Sequence, residues 1–255
     1  MCIILFSYQN HPQYRFVVAA NRDEYYQRPT APASFWEDYP FFLAGRDLEK
    51  MGTWMGITKT GRFAAITNYR DPSVLLADAR SRGELVSDYL IGHDSPDAYL
   101  KKVKNNSRSY QGFNLLVGDL EHLWYYSWLS NSIDEVTPGI HGLSNAELNT
   151  TWPKVEKGKQ LLHSCLQKPT LNKDCLFEVL ADEKQVKDES LPDTGVGIEW
   201  ERILSPVFIA SANYGTRSST LMTIDYENRV TYTERTFLSS KEKAEEVSFT
   251  FATQT

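Results

Sequence analysis

The sequence predicts an α+β fold built on antiparallel sheets. Four pairs of apolar, strand-like runs are each joined by a short polar turn, which is the pattern of β-hairpins. Four stretches of helical period lie in blocks between those hairpins instead of alternating with single strands. No repeat, low-complexity segment or change in composition marks a linker, so a single domain spanning residues 1–255 is predicted.

The first hairpin brings a thiol beside a charged segment. Residues 1–6 and 14–20 are its strands, and residues 9–13 are its turn. The second strand runs into Asn21-Arg22-Asp23-Glu24, which therefore lies next to Cys2. A thiol that faces an arginine and carboxylates is a candidate nucleophile. The alternative is a small buried cysteine that opens a core strand.

The next elements are a hairpin and two helices. The hairpin joins residues 52–58 to residues 62–68, after a proline-rich loop. A helical stripe covers residues 83–91. A second helix over residues 96–104 begins with Ser-Pro-Asp, which is an N-cap followed by a proline at the first helical position.

The rest of the chain is predicted to combine the same kinds of element. In order, it contains a third hairpin over residues 112–118 and 123–129, helices over residues 153–168 and 173–181, a surface loop over residues 185–200, a strand over residues 206–212, a fourth hairpin over residues 220–225 and 229–237, and a loosely held tail from Lys241. Cys165 and Cys175 fall among apolar helix residues, where we expect packing and not catalysis.

Charge and cysteine content exclude several classes of function. A net charge of −6 argues against nucleic acid as a partner, because such proteins present a basic surface. The three cysteines show no metal-ligand spacing, so no metal site is predicted, and their sparse, odd number is typical of a reducing compartment. No signal peptide or membrane-spanning stretch is apparent. These features predict a cytoplasmic protein that acts on a small molecule without stable membrane insertion.

Five motifs resemble those of the NRDE family, which is the transport and Golgi organisation protein 2 family. The motifs are Asn21-Arg22-Asp23-Glu24 with Arg28-Pro29, Gly52-Thr53-Trp54, Arg62-Phe63-Ala64-Ala65 with Thr67-Asn68-Tyr69-Arg70, His141-Gly142-Leu143-Ser144-Asn145 with Trp152-Pro153-Lys154, and Tyr214-Gly215-Thr216-Arg217-Ser218-Ser219. The resemblance runs from Met1 to about Phe237. It implies links to secretory-pathway organisation and haem trafficking, without an agreed chemical reaction.

The family in turn resembles the N-terminal-nucleophile hydrolases, in the branch of choloylglycine hydrolases and penicillin acylases that use an N-terminal cysteine. That resemblance implies a four-layer αββα sandwich of two antiparallel sheets flanked by helices, with Cys2 on a central strand. It also implies catalytic roles for residues that should converge on one pocket: Cys2, Arg22, Asp23, Asn68, Asn145 and Arg217. One departure is that the arginine of those hydrolases lies three residues before the aspartate, whereas Arg22 adjoins Asp23. Neighbouring side chains on a strand point to opposite faces, so Asn21 could take one of the two places.

Such a site would use the amine of an N-terminal cysteine as its base. Removal of Met1 frees an α-amine with a pKa of about 7.7–8.0, which can take the thiol proton. Asp23 would orient the ammonium, and Asn68 or Asn145 would donate to the oxyanion. The predicted reaction is hydrolysis or acyl transfer at a non-peptide C–N bond, through a thioester. The alternative is that both asparagines are turn residues and that Arg217 forms a structural ion pair.

A binding protein is the competing hypothesis. If Met1 is retained, the nitrogen of Cys2 is an amide and cannot act as a base. The pocket would then carry haem or an acyl ligand, with His141 or Cys2 as the axial ligand of haem iron; His141 is alternatively a structural turn residue. No other cofactor is expected, and the oligomeric state is left open. The predicted ligand-binding residues are Asn21, Glu24, Trp54, His141 and Tyr214.

Overall fold

The computed structural model describes residues 2–73, 76–238 and 243–254. Within those residues it contains thirteen β-strands and five α-helices. The strands are β1 (Cys2–Tyr8), β2 (Tyr14–Tyr25), β3 (Thr30–Phe35), β4 (Phe42–Asp47), β5 (Met55–Thr58), β6 (Phe63–Asn68), β7 (Phe113–Gly118), β8 (Leu123–Ser127), β9 (Ser132–Glu135), β10 (Gly139–Leu143), β11 (Tyr214–Asp225), β12 (Arg229–Phe237) and β13 (Lys243–Ala252). The helices are α1 (Arg82–Ile91), α2 (Pro96–Asn106), α3 (Pro153–Leu166), α4 (Lys173–Leu180) and α5 (Ile198–Leu204).

The strands form two antiparallel sheets. The first sheet has the order β10-β1-β2-β11-β12-β13, and the second has the order β3-β4-β5-β6-β7-β8-β9. Every neighbouring pair is antiparallel. The predicted α+β class is therefore confirmed, as is the position of Cys2 on an interior strand, because β1 lies between β10 and β2.

The alternation of side chains along β1 produces the layers. Ile4 and Phe6 face the second sheet, where Phe63 belongs to the same buried apolar cluster. Ile3 and Leu5 face the opposite way and pack with apolar residues of α3 and α4. On its outer side the second sheet packs against α1 and α2 in a further cluster. The four layers are thus helices, first sheet, second sheet and helices, as predicted.

Two predicted features of the C-terminal part are wrong. Residues 206–212 form no regular strand; Ile209 bonds to Thr216 through both its backbone groups, and the segment makes only an isolated bridge at Ala210 within the described chain. Its apolar residues are instead buried: Val207 packs with α4 and β11, Phe208 packs against Phe237 of β12, and Ile209 packs with Leu204 of α5 and Tyr214. Residues 243–252 form β13, which pairs with β12 along its length. The aromatic side chains of β13 pack on the core between the sheets, which explains why the tail is held. Lys241 lies outside the described residues.

Other elements were missed because they depend on distant partners. The proline-rich loop contains β3, and two further strands, β9 and β10, follow the third hairpin. The predicted surface loop ends where α5 begins, at Ile198. The four helices predicted from periodicity are all present, to within a few residues at their ends. None of the helices in the described part of the chain is long and apolar enough to cross a membrane.

A disulfide joins Cys165 on α3 to Cys175 on α4. Cys165 is buried in the core as predicted, but its pairing was not. Disulfides are typical of oxidising compartments, whereas the cysteine count predicted a reducing one; the compartment itself stays a prediction. Cys2 remains as the free cysteine.

Glu234 is a fully buried carboxyl group that connects the two sheets. One of its oxygens accepts a hydrogen bond from the backbone N–H of Ala33 on β3 at 2.7 Å, and the other accepts from Thr220 on β11 at 3.1 Å. Desolvation raises the pKa of Glu234 to about 7 despite these bonds. The folded protein therefore holds a proton on this group at a pH where the unfolded chain has lost it.

We expect the Glu234→Gln variant to lose one component of the pH dependence of stability. Because the folded pKa is raised, this group stabilises the folded state at low pH, and that stability is lost as the pH rises to about 7. The free energy of unfolding of the wild type, minus that of Glu234→Gln, should fall by up to about 3 kcal/mol as the pH rises from about 4 to about 7. Urea titrations of both proteins across the interval measure the difference, and a difference independent of pH would contradict the assignment.

Candidate functional site

A cavity of about 340 Å³ opens beside Cys2; we call it the Cys2 cavity. It is lined by Cys2, Arg22, Asp23, Glu24, Arg28, Asp47, Lys50, Thr53, Trp54, Ile66, Asn68, Ala79, Arg80, Ser81, Arg82, Gly83 and Gln111. This volume is in the range of small-molecule sites. Six of the residues predicted from sequence line it: Cys2, Arg22, Asp23, Glu24, Trp54 and Asn68.

The pairing of β1 with β2 sets Arg22 against Cys2. The two residues are directly opposite in the antiparallel register, so their side chains share one face of the sheet. The Arg22 guanidinium is buried, lies 4.4 Å from the centre of a Trp54 ring, and donates to Thr30 and Asp47 at 3.3 and 3.5 Å. These contacts hold a cation on the side of the sheet where the thiol lies.

Asp23 points to the other face of β2, as the alternation of side chains requires. Its Oδ1 accepts a hydrogen bond from the Thr216 hydroxyl at 2.8 Å. Burial raises the pKa of Asp23, whereas the positive charge of Lys154 acts to lower it. Burial also lowers the pKa of Lys154 to about 8, and its Nζ donates to the backbone of Leu204. Asp23 still reaches the Cys2 cavity, because the cavity opens at the end of β1.

The thiol of Cys2 is not activated by its surroundings alone. Burial is the largest influence and raises the pKa of the thiol, and the negative charge of Asp23 adds to the effect. The positive charge of Arg22 and a backbone hydrogen bond with Asp23 act in the opposite direction. The net pKa is raised, so a separate base is needed to form thiolate near neutral pH.

The two candidate asparagines differ in their surroundings. Asn145 is buried, and its Nδ2 donates to the backbone oxygen of Asn68 at 2.8 Å. The Ser144 hydroxyl lies 3.1 Å from the backbone oxygen of Cys2 and 3.3 Å from Oδ1 of Asn145, so Ser144 connects Asn145 to Cys2, but Asn145 does not line the cavity. Asn68 lines the cavity and is half-buried. Of the two, Asn68 is the one placed to donate to a bound molecule.

Arg217 is not among the residues that line the Cys2 cavity. A bulge interrupts the pairing of β11 with β2 between Thr216 and Ser218, and the guanidinium is directed at the chain that follows β2. Its Nη1 lies 2.9–3.0 Å from three backbone oxygens, those of Tyr25, Tyr26 and Arg28. Arg217 thus holds the segment that carries Arg28, and the arginine beside the thiol is Arg22.

His141, Asn21 and Tyr214 do not line the cavity either. Both ring nitrogens of His141 have partners, at Thr137 and Asn149, and the ring stacks on Phe6. The Asn21 amide donates to two backbone oxygens near α4 and accepts from Ser219. The Tyr214 hydroxyl donates to the backbone oxygen of Asp23. In this structure the polar groups of these three side chains form hydrogen bonds within the protein.

The structure adds cavity residues that sequence reasoning missed. Arg82 and Gly83 come from the start of α1, and Gln111 comes from the segment before β7. Lys50 lies on the turn between β4 and β5. Only Arg28 and Thr53 belonged to recognised motifs. The others belong to no motif, and their place in the cavity depends on long-range packing, which for Arg82 and Gly83 is the packing of α1 on the second sheet.

Comparison with known proteins agrees with this architecture. The sequence profile of the Transport and Golgi organisation 2 family matches residues 1–239. A homologue from Mus musculus and one from Homo sapiens are each 38% identical over 259 residues, covering 93% of this chain and 94% of the relative. The Drosophila melanogaster protein is 26% identical, covering 92% of each chain.

Two solved structures share the fold at low sequence identity. The N-acylethanolamine-hydrolyzing acid amidase orthologue of Caenorhabditis elegans superposes with a TM-score of 0.51 at 9% identity, covering 87% of this chain and 92% of its own. The C2A mutant of conjugated bile acid hydrolase from Clostridium perfringens superposes with a TM-score of 0.53 at 8% identity, covering 99% and 98%. The N-terminal-nucleophile hydrolase-like fold is thereby confirmed.

The position of Arg22 yields a test of the electrostatics at Cys2. Removing its charge in Arg22→Met should raise the pKa of the thiol, because Arg22 acts to lower it. We expect alkylation of Cys2 by iodoacetamide near neutral pH to slow about three- to tenfold. Arg22→Lys keeps the charge and should lose less. Equal alkylation rates in the wild type and Arg22→Met would show that the guanidinium does not act on the thiol.

Proposed function

The chain belongs to the Transport and Golgi organisation 2 family, and we propose that its Cys2 cavity hydrolyses or transfers an acyl group at an amide C–N bond. The observation that carries the proposal is the position of Cys2. It begins an interior strand, faces Arg22 and opens into a cavity of small-molecule size. Two proteins of the same fold are named for the hydrolysis of N-acylethanolamines and of conjugated bile acids.

The reaction begins once Met1, which lies outside the described residues, is removed. The free α-amine of Cys2 takes the thiol proton, which supplies the base that the buried thiol needs. The thiolate attacks the amide carbon, and the Asn68 side chain donates to the oxyanion that forms. The ammonium then returns its proton to the leaving nitrogen as the C–N bond breaks and a thioester remains. Water hydrolyses the thioester with the same amine as its base.

The residues around the thiol have supporting roles in this proposal. Arg22 stabilises negative charge on the sulfur, from the side of the sheet that they share. Asp23 orients the ammonium, and its charge is favoured by the nearby Lys154. Ser144 holds the backbone oxygen of Cys2 at 3.1 Å, which fixes the end of the strand on which the nucleophile lies.

A second candidate function is non-enzymatic binding of haem or an acyl ligand in the same cavity. It is favoured by the raised pKa of the Cys2 thiol, which keeps the sulfur protonated when the α-amine is not free. The cavity offers Trp54 as an aromatic wall. Since both nitrogens of His141 are engaged elsewhere, Cys2 is the remaining candidate for the axial ligand of haem iron, and it would bind as a thiolate after the iron displaces the thiol proton.

We expect protein freed of Met1 to release octanoic acid from at least one of two amides, N-octanoylethanolamine and N-octanoylglycine. Cys2→Ala should abolish the release, because the thioester cannot form. A variant with Cys165 and Cys175 both changed to Ala should keep it, since that disulfide is remote from the site. Chromatography of the released acid measures the rate. Equal release by Cys2→Ala, or none from Met1-free protein while haem or either amide still binds, would favour the binding function.

A further inference from the structure

We infer that the molecule bound in the Cys2 cavity carries an anionic group, a carboxylate, sulfonate or phosphate, that Arg82 recognises. The inference rests on the proposed function, because it names the substrate class of that site. It comes from the balance of charges in the cavity wall. Five cationic side chains line the cavity, namely Arg22, Arg28, Lys50, Arg80 and Arg82, against the three carboxylates Asp23, Glu24 and Asp47.

Most of these charges are neutralised within the protein. Asp47 lies 2.5 Å from Arg28 and 3.5 Å from Arg22, and Glu24 lies about 4 Å from both arginines. Arg80 is 2.5 Å from Glu84 on α1. These pairs use up the carboxylates on the Arg22 side of the cavity, so none of them is free to balance another cation there.

Arg82 is left without such a partner. Its Nη1 donates to the backbone oxygen of Gly112 at 3.0 Å, which fixes the guanidinium, and no carboxylate within the described residues lies within 4 Å of it. The side chain is half-buried, so its charge is poorly screened by water. Burial lowers the pKa of Arg82, and both Cys2 and Glu24 are near enough to act against that effect. Arg82 is therefore a fixed, unneutralised cation close to the nucleophile.

The start of α1 adds to the same field. Ser81, Arg82 and Gly83 all line the cavity, and they are the residues at which α1 begins. The partial positive charge of a helix N-terminus favours anions. Lys50, exposed on the opposite turn, is a second cation without a carboxylate within 4 Å among the described residues. An anion in the cavity would pair with the guanidinium of Arg82, which Gly112 already holds in place, and a neutral molecule would leave that guanidinium unpaired.

Two alkylating reagents that differ only in charge provide the test. Iodoacetate and iodoacetamide both react with the thiolate by forming an S–C bond and expelling iodide. The quantity measured is the rate with iodoacetate divided by the rate with iodoacetamide. This ratio is independent of the pKa and of the accessibility of Cys2, because both reagents attack the same sulfur. We expect this ratio to be about fivefold higher for Cys2 than for free cysteine at low salt, and to decrease at high salt.

The variant that isolates the inference is Arg82→Gln, which should reduce the ratio about fivefold. The matched control is Arg229→Gln, which removes the same charge at the far end of the first sheet and should leave the ratio unchanged.

N-octanoylglycine should also protect Cys2 from iodoacetamide at lower concentration than its neutral analogue N-octanoylglycinamide, and Arg82→Gln should remove that difference.

A ratio for Cys2 no higher than that of free cysteine, or an equal ratio in the wild type and Arg82→Gln, would overturn the inference. Equal protection by the two amides would overturn it as well. None of these measurements requires catalysis or the removal of Met1. Failure of the proposed hydrolysis would therefore leave this result standing, and loss of anion selectivity would leave the hydrolysis standing.

Discussion

The register between β1 and β2 is the constraint on which the site depends. Pairing Cys2 with Arg22 puts both side chains on the face toward the second sheet, and a slip of one residue would turn the thiol toward α3 and α4. The register is fixed well away from the site, because Ile4 and Phe6 must stay in the core between the sheets while Ile3 and Leu5 stay under the helices. Burial of apolar side chains thus determines where the nucleophile lies.

The same burial limits what the thiol can do by itself. Withdrawal from water raises the pKa of Cys2, and Arg22 only partly opposes this effect. A base at the sulfur is therefore what separates a hydrolase from a binding protein in this fold, and the amine of Cys2 is the group that could supply it.

The ion pair of Arg70 with Glu201, at 2.7 Å and buried, holds α5 against the exit of β6 behind the site. This pair is costly to desolvate and gives its full benefit only when both partners stay in place.

Local patterns in the sequence predicted the elements whose hydrogen bonds join residues that are near in sequence. The hairpins and helices follow from periodicity and turn residues, and so does the placement of Asp23 and Arg22 on opposite faces. Arg217 and His141 show where such reasoning stops: a motif names a residue but does not say that a bulge will direct Arg217 to backbone oxygens, or that His141 will be held by Thr137 and Asn149. Arg82 was missed for the opposite reason, since only the packing of α1 brings it to Cys2.

The most direct test of the account is the mass of the N-terminal peptide after a short reaction. Protein freed of Met1 is mixed with N-octanoylglycine, quenched in acid within seconds and digested with pepsin at the same low pH, which keeps the α-amine protonated and prevents transfer of the acyl group from sulfur to nitrogen; the mass of the N-terminal peptide is then measured. The account predicts an octanoyl group on Cys2, bound as a thioester that hydroxylamine removes, and none on the same peptide of Cys2→Ala. A peptide that stays unmodified at every time point, with no octanoic acid released while N-octanoylglycine occupies the cavity, would contradict it.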